Sequence, residues 1–357
     1  MKLKILHISK DISGGIGTVI KMLLDVFNNS KNIFIDNGYK SFFKSFKNES
    51  NKYNVLHFHG AWTLHLLPLF NKLKKPTLIS PHGAFHPISL EKSKLKKLIA
   101  KYLYMKRCYQ NVDCIHALTE QEAKDIRNYG LKKNPIAIIP NGINFEEEIK
   151  INEKKKKEWL NLANSRKILL SLSRLHSAKG IDMLIDAFAE LQKISDNNVL
   201  FIAGAGDEVY TKKLQNKIIK NKLQNSVFLV GEQVGILKNT LYDIADIFIL
   251  PSYNEGFPLT VLEAYRQYVP VITTNATPFS DIQRLACGWY VKPTMNEILG
   301  ALKKANALTS NELSEKGIVG YEWMKENYSL ETIKIQYEQM YLWLLGESDK
   351  PEFMYEK

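Results

Sequence analysis

Two acids eight positions apart, Glu255 and Glu263, frame the stretch of this chain with the clearest capacity for chemistry, which runs from Pro251 to Ala264 as Pro-Ser-Tyr-Asn-Glu-Gly-Phe-Pro-Leu-Thr-Val-Leu-Glu-Ala. The apolar run Ile247 to Leu250 before it reads as a buried strand, and the residues after it read as a helix to about Tyr268. Gly256 permits close approach of backbone to a ligand, and Pro258 suits a first helical turn, where a missing N–H costs nothing. A helix entered this way offers free N–H groups and the positive end of its dipole to an anion. The pattern predicts a pocket in which the helix start holds a diphosphate while the two glutamates accept hydrogen bonds from sugar hydroxyls. Ordinary helix capping and a solvated glutamate would leave the same local pattern, so the rest of the chain has to decide.

Other residues suit the same anion. The strand-like Ile168 to Ser173 ends in Arg174, and Lys179-Gly180 precedes the helical stretch Ile181 to Leu191. Arginine grips phosphate bidentately and lysine acts as a point charge, although a surface ion pair is the plainer reading. Gly204-Ala-Gly206, after the strand-like Val199 to Ala203, forms a small loop apt for backbone contacts, and Gly231 to Val234 follows another strand-like run. Near the start, Ser13-Gly14-Gly15-Ile16-Gly17-Thr18 reads as a tight turn between a strand, Leu3 to Ile8, and a helix, Val19 to Phe27. It could hold a phosphate or sugar, and it half matches a dinucleotide fingerprint with Asp36 downstream, but Ile20 stands where the third glycine belongs. Two histidine clusters, His57-Phe-His59-Gly60-Ala61-Trp62 and Pro81-His82-Gly83, follow strand-like Val55 to Phe58 and Thr77 to Ser80. Ligands of open α/β sheets bind outside such strand ends, which makes His59 and His82 candidates to line a site.

The elements that must position these residues alternate strand and helix, the pattern of an α/β protein with parallel sheets. A chain of 357 residues suits two such domains, expected at 1–160 and 161–328, with the polar, charge-dense Glu146 to Lys157 as the linker. The tail from 329 to 357 spaces Ile333, Tyr337, Met340, Tyr341 and Leu344 as a helix long enough to pack back on the first domain. Charge is uneven: residues 1–150 hold 24 Lys+Arg against 12 Asp+Glu, while residues 151–357 hold 25 of each. Within the basic half, residues 90–107 carry Lys92, Lys94, Lys96, Lys97, Lys101, Lys106 and Arg107 around Leu95, Leu98, Ile99, Tyr102 and Met105. That spacing describes an amphipathic helix, either lying on an anionic membrane surface or packed on the core with a solvated basic face. No nucleic-acid-binding module accompanies the charge. No apolar run approaches the ~18 residues of a membrane span, and Met1 to Ile5 leads into a strand rather than a signal peptide. Three cysteines without metal-ligand spacing, Cys108, Cys114 and Cys287, fit a reducing compartment. A cytoplasmic protein, peripheral on the inner face of the cell membrane where the basic stretch binds lipid, is expected.

Taken together these motifs resemble the family 4 retaining glycosyltransferases of the GT-B fold, two Rossmann-like domains facing across a cleft. The resemblance rests on Glu255-x7-Glu263, preceded by Ala245-Asp246, on Ser173-Arg174-Leu with Lys179-Gly180, on Gly204-x-Gly206, on Pro140-Asn141-Gly142-Ile143 and on the N-terminal glycine run. It covers nearly the whole chain. It implies that Glu255 contacts hydroxyls of the donor sugar, that Glu263 binds the nucleotide ribose, and that Arg174 and Lys179 hold the diphosphate. Amides of Gly256, Phe257, Leu259 and Thr260 would assist, Gly204, Gly206 and Val234 would border the nucleotide, and Gly14, Gly15 and Gly17 would close near phosphates and acceptor. His82 matches the histidine near the transferred sugar, with His59 and Trp62 on the acceptor side. Ser80-Pro-His-Gly-Ala-Phe85 and Cys287-Gly-Trp289 are most similar to the branch that builds exopolysaccharide and O-antigen repeat units, on lipid-linked acceptors. The resemblance implies no dedicated carboxylate nucleophile, and the lack of an Asp-x-Asp pair agrees with a metal-free site. An NAD-dependent oxidoreductase, a non-catalytic nucleotide-sugar-binding protein and a phosphorylase on the same fold are the alternatives. One departure stands out: the family commonly continues the glutamate helix with small residues, where this chain has Arg266-Gln267-Tyr268.

Overall fold

The computed structural model describes residues 3–10, 14–35, 38–91 and 93–356, with backbone alone at Gly14, Gly15 and Ile88. Ser13, Asp36 and Lys92, singled out above, lie outside the described residues. The chain divides into two compact units, Met1–Asn141 with Leu330–Lys357, and Gly142–Ser329. The division precedes the stretch expected as a linker. Residues 153–163 form a helix capped by Asn152, and Phe145, Trp159 and Ala163 are buried in the core of the second unit.

The first unit is built on a seven-stranded sheet in the spatial order Met354–Tyr355, Ile136–Ile138, Cys114–Ala117, Thr77–Ser80, Val55–His59, Ile5–Ile8, Ser30–Ile33. All pairings are parallel except that of the edge strand Met354–Tyr355. Side chains alternate across a strand, so one face carries Ile5, Val55, Leu78, Cys114 and Ala137 and the other carries Leu6, Leu56, Ile79 and Ile115. Tyr337, Met340, Tyr341 and Ile333 of the C-terminal helix Leu330–Leu344 are buried against the first of these faces. Helical spacing supplies the apolar stripe, and the sheet supplies its partner. Toward the strand ends the same face turns polar: His7 pairs in register with His57, and His59 with Ser80.

Two local expectations are corrected. Gly14, Gly15 and Gly17 lie in the first turns of a helix, Gly14–Val26, rather than in a loop, so what they offer is a helix N-terminus with little side-chain bulk. Residues 90–107 are not one amphipathic helix. The chain forms helices Pro87–Glu91 and Lys94–Ala100, a π-turn Lys101–Met105 and a helix Lys106–Gln110, with Ser93 in the left-handed region between the first two. This broken path buries Met105, Cys108 and Tyr109 but leaves Leu95, Leu98, Ile99, Tyr102 and Leu103 exposed, Leu95 at 71% and Tyr102 at 75%. Of the five stripe residues expected on either a membrane surface or the core, only Met105 is on the core and the other four face solvent.

The second unit holds a six-stranded, wholly parallel sheet in the order Gly288–Val291, Val271–Thr274, Ile247–Leu250, Lys167–Leu172, Asn198–Ala203, Val227–Gly231. Near-continuous apolar strands are what a sheet covered on both faces requires. Ile168, Leu170 and Leu172 join one core and Leu169 the other. The glutamate helix spans Leu259–Arg266 and stops two residues short of the expected end, with Pro258 as its N-cap and Tyr268 at φ 60°. The helix Ser310–Tyr328 accommodates this ending. A Cβ on its Gly317 would lie 1.7 Å from the Tyr268 carbonyl oxygen, and one on Gly320 2.0 Å from the Tyr265 ring. Two glycines thus make the room that small residues would otherwise leave, and Tyr268 stacks on Tyr321 with ring centroids 4.5 Å apart.

Candidate active site

In the second unit, both glutamates are already engaged. Lys179 Nζ lies 2.7 Å from Glu255 Oε1, and Ser252 Oγ donates to the same oxygen at 2.6 Å. The pair is largely buried, with side-chain exposures of 16% and 8%. Its position follows from Gly180. That residue sits at φ 65°, and a Cβ there would meet the Pro251 carbonyl oxygen at 2.3 Å. With Gly180 the two loops lie flush, Tyr253 N–H donates to the Ala178 carbonyl at 2.9 Å, and Lys179 falls beside Glu255. Glu263 is held in turn by Lys238 Nζ at 2.6 Å from Oε1 and the Tyr242 hydroxyl at 3.2 Å from Oε2. Ser252, Lys238 and Tyr242 carry no sequence signal of their own, since each reaches its glutamate through tertiary packing.

The remaining residues of this unit take distinct places. Arg174 is exposed and forms no salt bridge among the described residues. It is set between two backbone bonds, Ser173 N–H to Ala203 O at 3.1 Å and Leu175 N–H to Ala205 O at 2.7 Å. Gly204 and Gly206 make that alignment possible, because added Cβ atoms would lie 1.8 Å from the Ser173 oxygen and 2.3 Å from the Leu175 oxygen. Their glycine character is thereby explained by backbone packing rather than by a ligand. Gly256 is exposed with open space at its Cβ position, whereas the Phe257 ring packs against Phe279 and Tyr328, leaving only its backbone for contacts. Among the described residues the amides of Leu259 and Thr260 take no backbone acceptor, as expected at a helix start. Val234 is 70% exposed and caps the helix Gly235–Asp243, which carries Lys238.

The first unit gathers five histidines at the strand ends. His82 follows its strand at φ 53°, beside Gly83, whose N–H donates to Glu122 Oε1 at 2.5 Å. Its Nε2 lies 3.1 Å from His59 Nδ1, and His59 Nε2 lies 3.0 Å from His7 Nδ1. His57 and His116 sit on either side of Ser80, each 2.7 Å from its Oγ. Burial pushes His7 and His82 down to about 3 and His116 to about 4, and holds His57 and His59 well below the ordinary 6.5, so the whole group is neutral. His59 is only 1% exposed with both ring nitrogens engaged, which removes it from the acceptor side. Trp62, at φ 66°, packs edge-on against Phe85 and Tyr129 beneath Lys97. His7 and His116 were absent from the expected set because each is a lone histidine in sequence and only the sheet register brings them in. Among the described residues, one trio of potential metal ligands, His7, His57 and His59, has ligand nitrogens within 4.8 Å of one another.

Two parallel-sheet Rossmann-like units and a pair of anchored glutamates around a strand-to-helix turn define a glycosyltransferase of the GT-B class. Residues 152–317 match the family of glycosyl transferases group 1, and residues 26–147 match Glycosyltransferase Family 4. The chain belongs to the family 4 GT-B glycosyltransferases. An uncharacterized 41.2 kDa protein in the cps region of Klebsiella pneumoniae is 24% identical over 78% of this chain and 83% of its own length. The N,N'-diacetylbacillosaminyl-diphospho-undecaprenol alpha-1,3-N-acetylgalactosaminyltransferase of Campylobacter jejuni is 30% identical over 52% of this chain and 48% of its own. Several of the curated relatives are matched over only about half of their length. The crystal structure of Anabaena HepE in complex with UDP shares the fold, with a TM-score of 0.78 at 16% identity, covering 95% of this chain and 99% of that one.

Proposed function

We propose that the protein moves a sugar, with retention at the anomeric carbon, from a nucleoside-diphospho-sugar to a saccharide acceptor carried on a lipid, in the assembly of a surface polysaccharide. The observation that carries the donor half is the buried Lys179–Glu255 pair anchored by Ser252. Both bonds fall on Oε1, so Glu255 keeps Oε2 to accept from a sugar hydroxyl. An ammonium has three donors, and Lys179 can hold Glu255 while reaching phosphate oxygens. Exposed Arg174 adds a second cation, and the start of helix Leu259–Arg266 adds oriented amides. Charge on a departing nucleoside diphosphate is thereby stabilised by fixed cations and dipoles, the role a divalent metal ion would otherwise take. An acceptor hydroxyl forms the new C1–O bond as the C1–O bond to the diphosphate breaks, and its proton goes to the leaving phosphate, with no protein carboxylate as nucleophile. Glu263, braced by Lys238 and Tyr242, takes the ribose hydroxyls.

For the acceptor, the exposed Leu95, Leu98, Ile99, Tyr102 and Leu103 beside Lys94, Lys96 and Lys101 favour an anionic membrane surface, where a lipid-linked acceptor resides. No helix among the described residues is long and apolar enough to cross a membrane. The relative from Campylobacter jejuni is named for an undecaprenol-linked acceptor, which agrees with this reading. The test of the donor half is a thermal-shift panel of UDP, GDP, ADP and dTDP sugars followed by turnover of the stabilising one; stabilisation without transfer or nucleotide release would leave only a binding protein. The test of the acceptor half is sedimentation with vesicles containing anionic lipid. Reversing Lys94, Lys96, Lys97 and Lys101 to Glu is expected to abolish binding, and unchanged binding would refute it.

A further inference from the structure

The polar strand ends of the first unit form two hydrogen-bond chains, and the end groups fix which way the protons run. In one chain, Tyr341 Oη is 2.9 Å from His57 Nδ1, His57 Nε2 is 2.7 Å from Ser80 Oγ, and Ser80 Oγ is 2.7 Å from His116 Nδ1. His116 Nε2 then lies 2.7 Å from the Ile139 carbonyl oxygen. A carbonyl only accepts, so His116 donates from Nε2 and, being neutral, accepts at Nδ1 from the Ser80 hydroxyl. Ser80 in turn accepts from His57 Nε2–H, and His57 Nδ1 accepts from Tyr341. Both rings of this chain are Nε2–H tautomers.

The other chain runs His7 Nδ1 to His59 Nε2 at 3.0 Å and His59 Nδ1 to His82 Nε2 at 3.1 Å. It begins at His7 Nε2, a buried atom with no partner among the described residues, and ends at His82 Nδ1 on a residue that is only part-buried. If the protons ran inward, His7 would bury an unpaired N–H; if they run outward, it buries only an unused lone pair. Orphaned buried N–H groups are the rarer and costlier of the two. We propose that His7 and His59 are positioning residues that lock His82 as its Nδ1–H tautomer, so that it presents a hydrogen-bond donor rather than a base to an oxygen of a bound sugar. The sugar-facing role rests on the glycosyltransferase reading, whereas the tautomers do not. A metal ion on His7, His57 and His59 would have to break these bonds, since both nitrogens of His57 and of His59 are engaged.

Ring 15N spectra of the full-length, ligand-free protein with labelled histidine test the chain directly, with assignments from single His→Asn variants. The expected result is a pyrrole-type Nδ1 in His7, His59 and His82 and a pyrrole-type Nε2 in His57 and His116. In His7→Phe, His59 loses its donor, His82 becomes a tautomer mixture, and kcat falls about tenfold, the worth of one misdirected hydrogen bond, with the donor KM within about twofold. His7→Gln, whose amide can still donate to His59, is expected to restore tautomer and rate. An Nε2–H His82 in the native protein, stoichiometric metal on these rings, or wild-type kcat in His7→Phe would overturn the proposal. Should His7→Phe fail to fold, the native spectrum alone decides. A native protein that turns over no nucleotide sugar overturns the sugar-facing role and not the chain.

Discussion

The two units handle buried polar groups in opposite ways. The second, whose residues carry little net charge, keeps its candidate site charged: Lys179 against Glu255 and Lys238 against Glu263. The first carries nearly all of the chain's excess of positive charge, yet the polar group at its strand ends is a set of neutral histidines. Seven of the eight histidines lie in the first unit, the exception being exposed His176. The contrast fits the chemistry expected of each. A leaving diphosphate needs fixed cations, whereas a sugar or hydroxyl acceptor needs oriented, uncharged donors and acceptors.

The largest way to break the comparison is acid. His7, His57, His59 and His116 are fully buried with pKa values depressed below the unfolded 6.5, so the folded state refuses protons that the unfolded state takes up. Stability is fully present above pH 6.5 and is lost as pH falls toward about 4. Each such group costs about 1 kcal/mol by one pH unit below 6.5, so together they remove a sizeable share of a domain's stability near pH 5.5. Urea denaturation followed by histidine resonances is expected to show the first unit unfolding between pH 5 and 6 while the second persists, about one unit below the unfolded pKa. Simultaneous loss of both units would remove the contrast.

Next come the cations and acids of the second unit. Lys179→Ala and Glu255→Gln are each expected to lower kcat about 10² to 10³-fold, the scale of losing one group that stabilises developing charge. Wild-type rates in both would move the donor site elsewhere. Gly204→Ala drives a Cβ to 1.8 Å from the Ser173 oxygen, and a loss of about 1–3 kcal/mol is expected, confined to the second unit's thermal transition. Smallest is Lys238→Ala, which frees Glu263 without touching the leaving group. It is expected to raise the KM for the donor about tenfold with kcat nearly unchanged, and an equal drop in kcat would place Glu263 in the chemical step instead.

Much of the fold was legible because its signals are local. Strands such as Thr77–Ser80 and Ile247–Leu250 stand where apolar runs end in turn residues, and the C-terminal helix declares its stripe at helical spacing. The stretch from Leu90 to Arg107 misled for a physical reason. Helical periodicity records which side chains could share a face, but a π-turn and the left-handed Ser93 interrupt the single helix that the spacing describes. The N-terminal glycines misled likewise, since glycine favours a loop only where no helix claims the backbone.

The sequence by itself determined the class, the two-unit organisation and which acids and cations to examine, because each of these is encoded by residue type at fixed short spacing. Only the tertiary structure decided who braces them. Ser252, Lys238 and Tyr242 reach their glutamates from separate elements, Gly180 matters through the Pro251 carbonyl, and His7 meets His59 through the register of neighbouring strands. Spacing along a chain says nothing of such pairs, because a parallel sheet joins residues whose separation is set by the crossover between their strands.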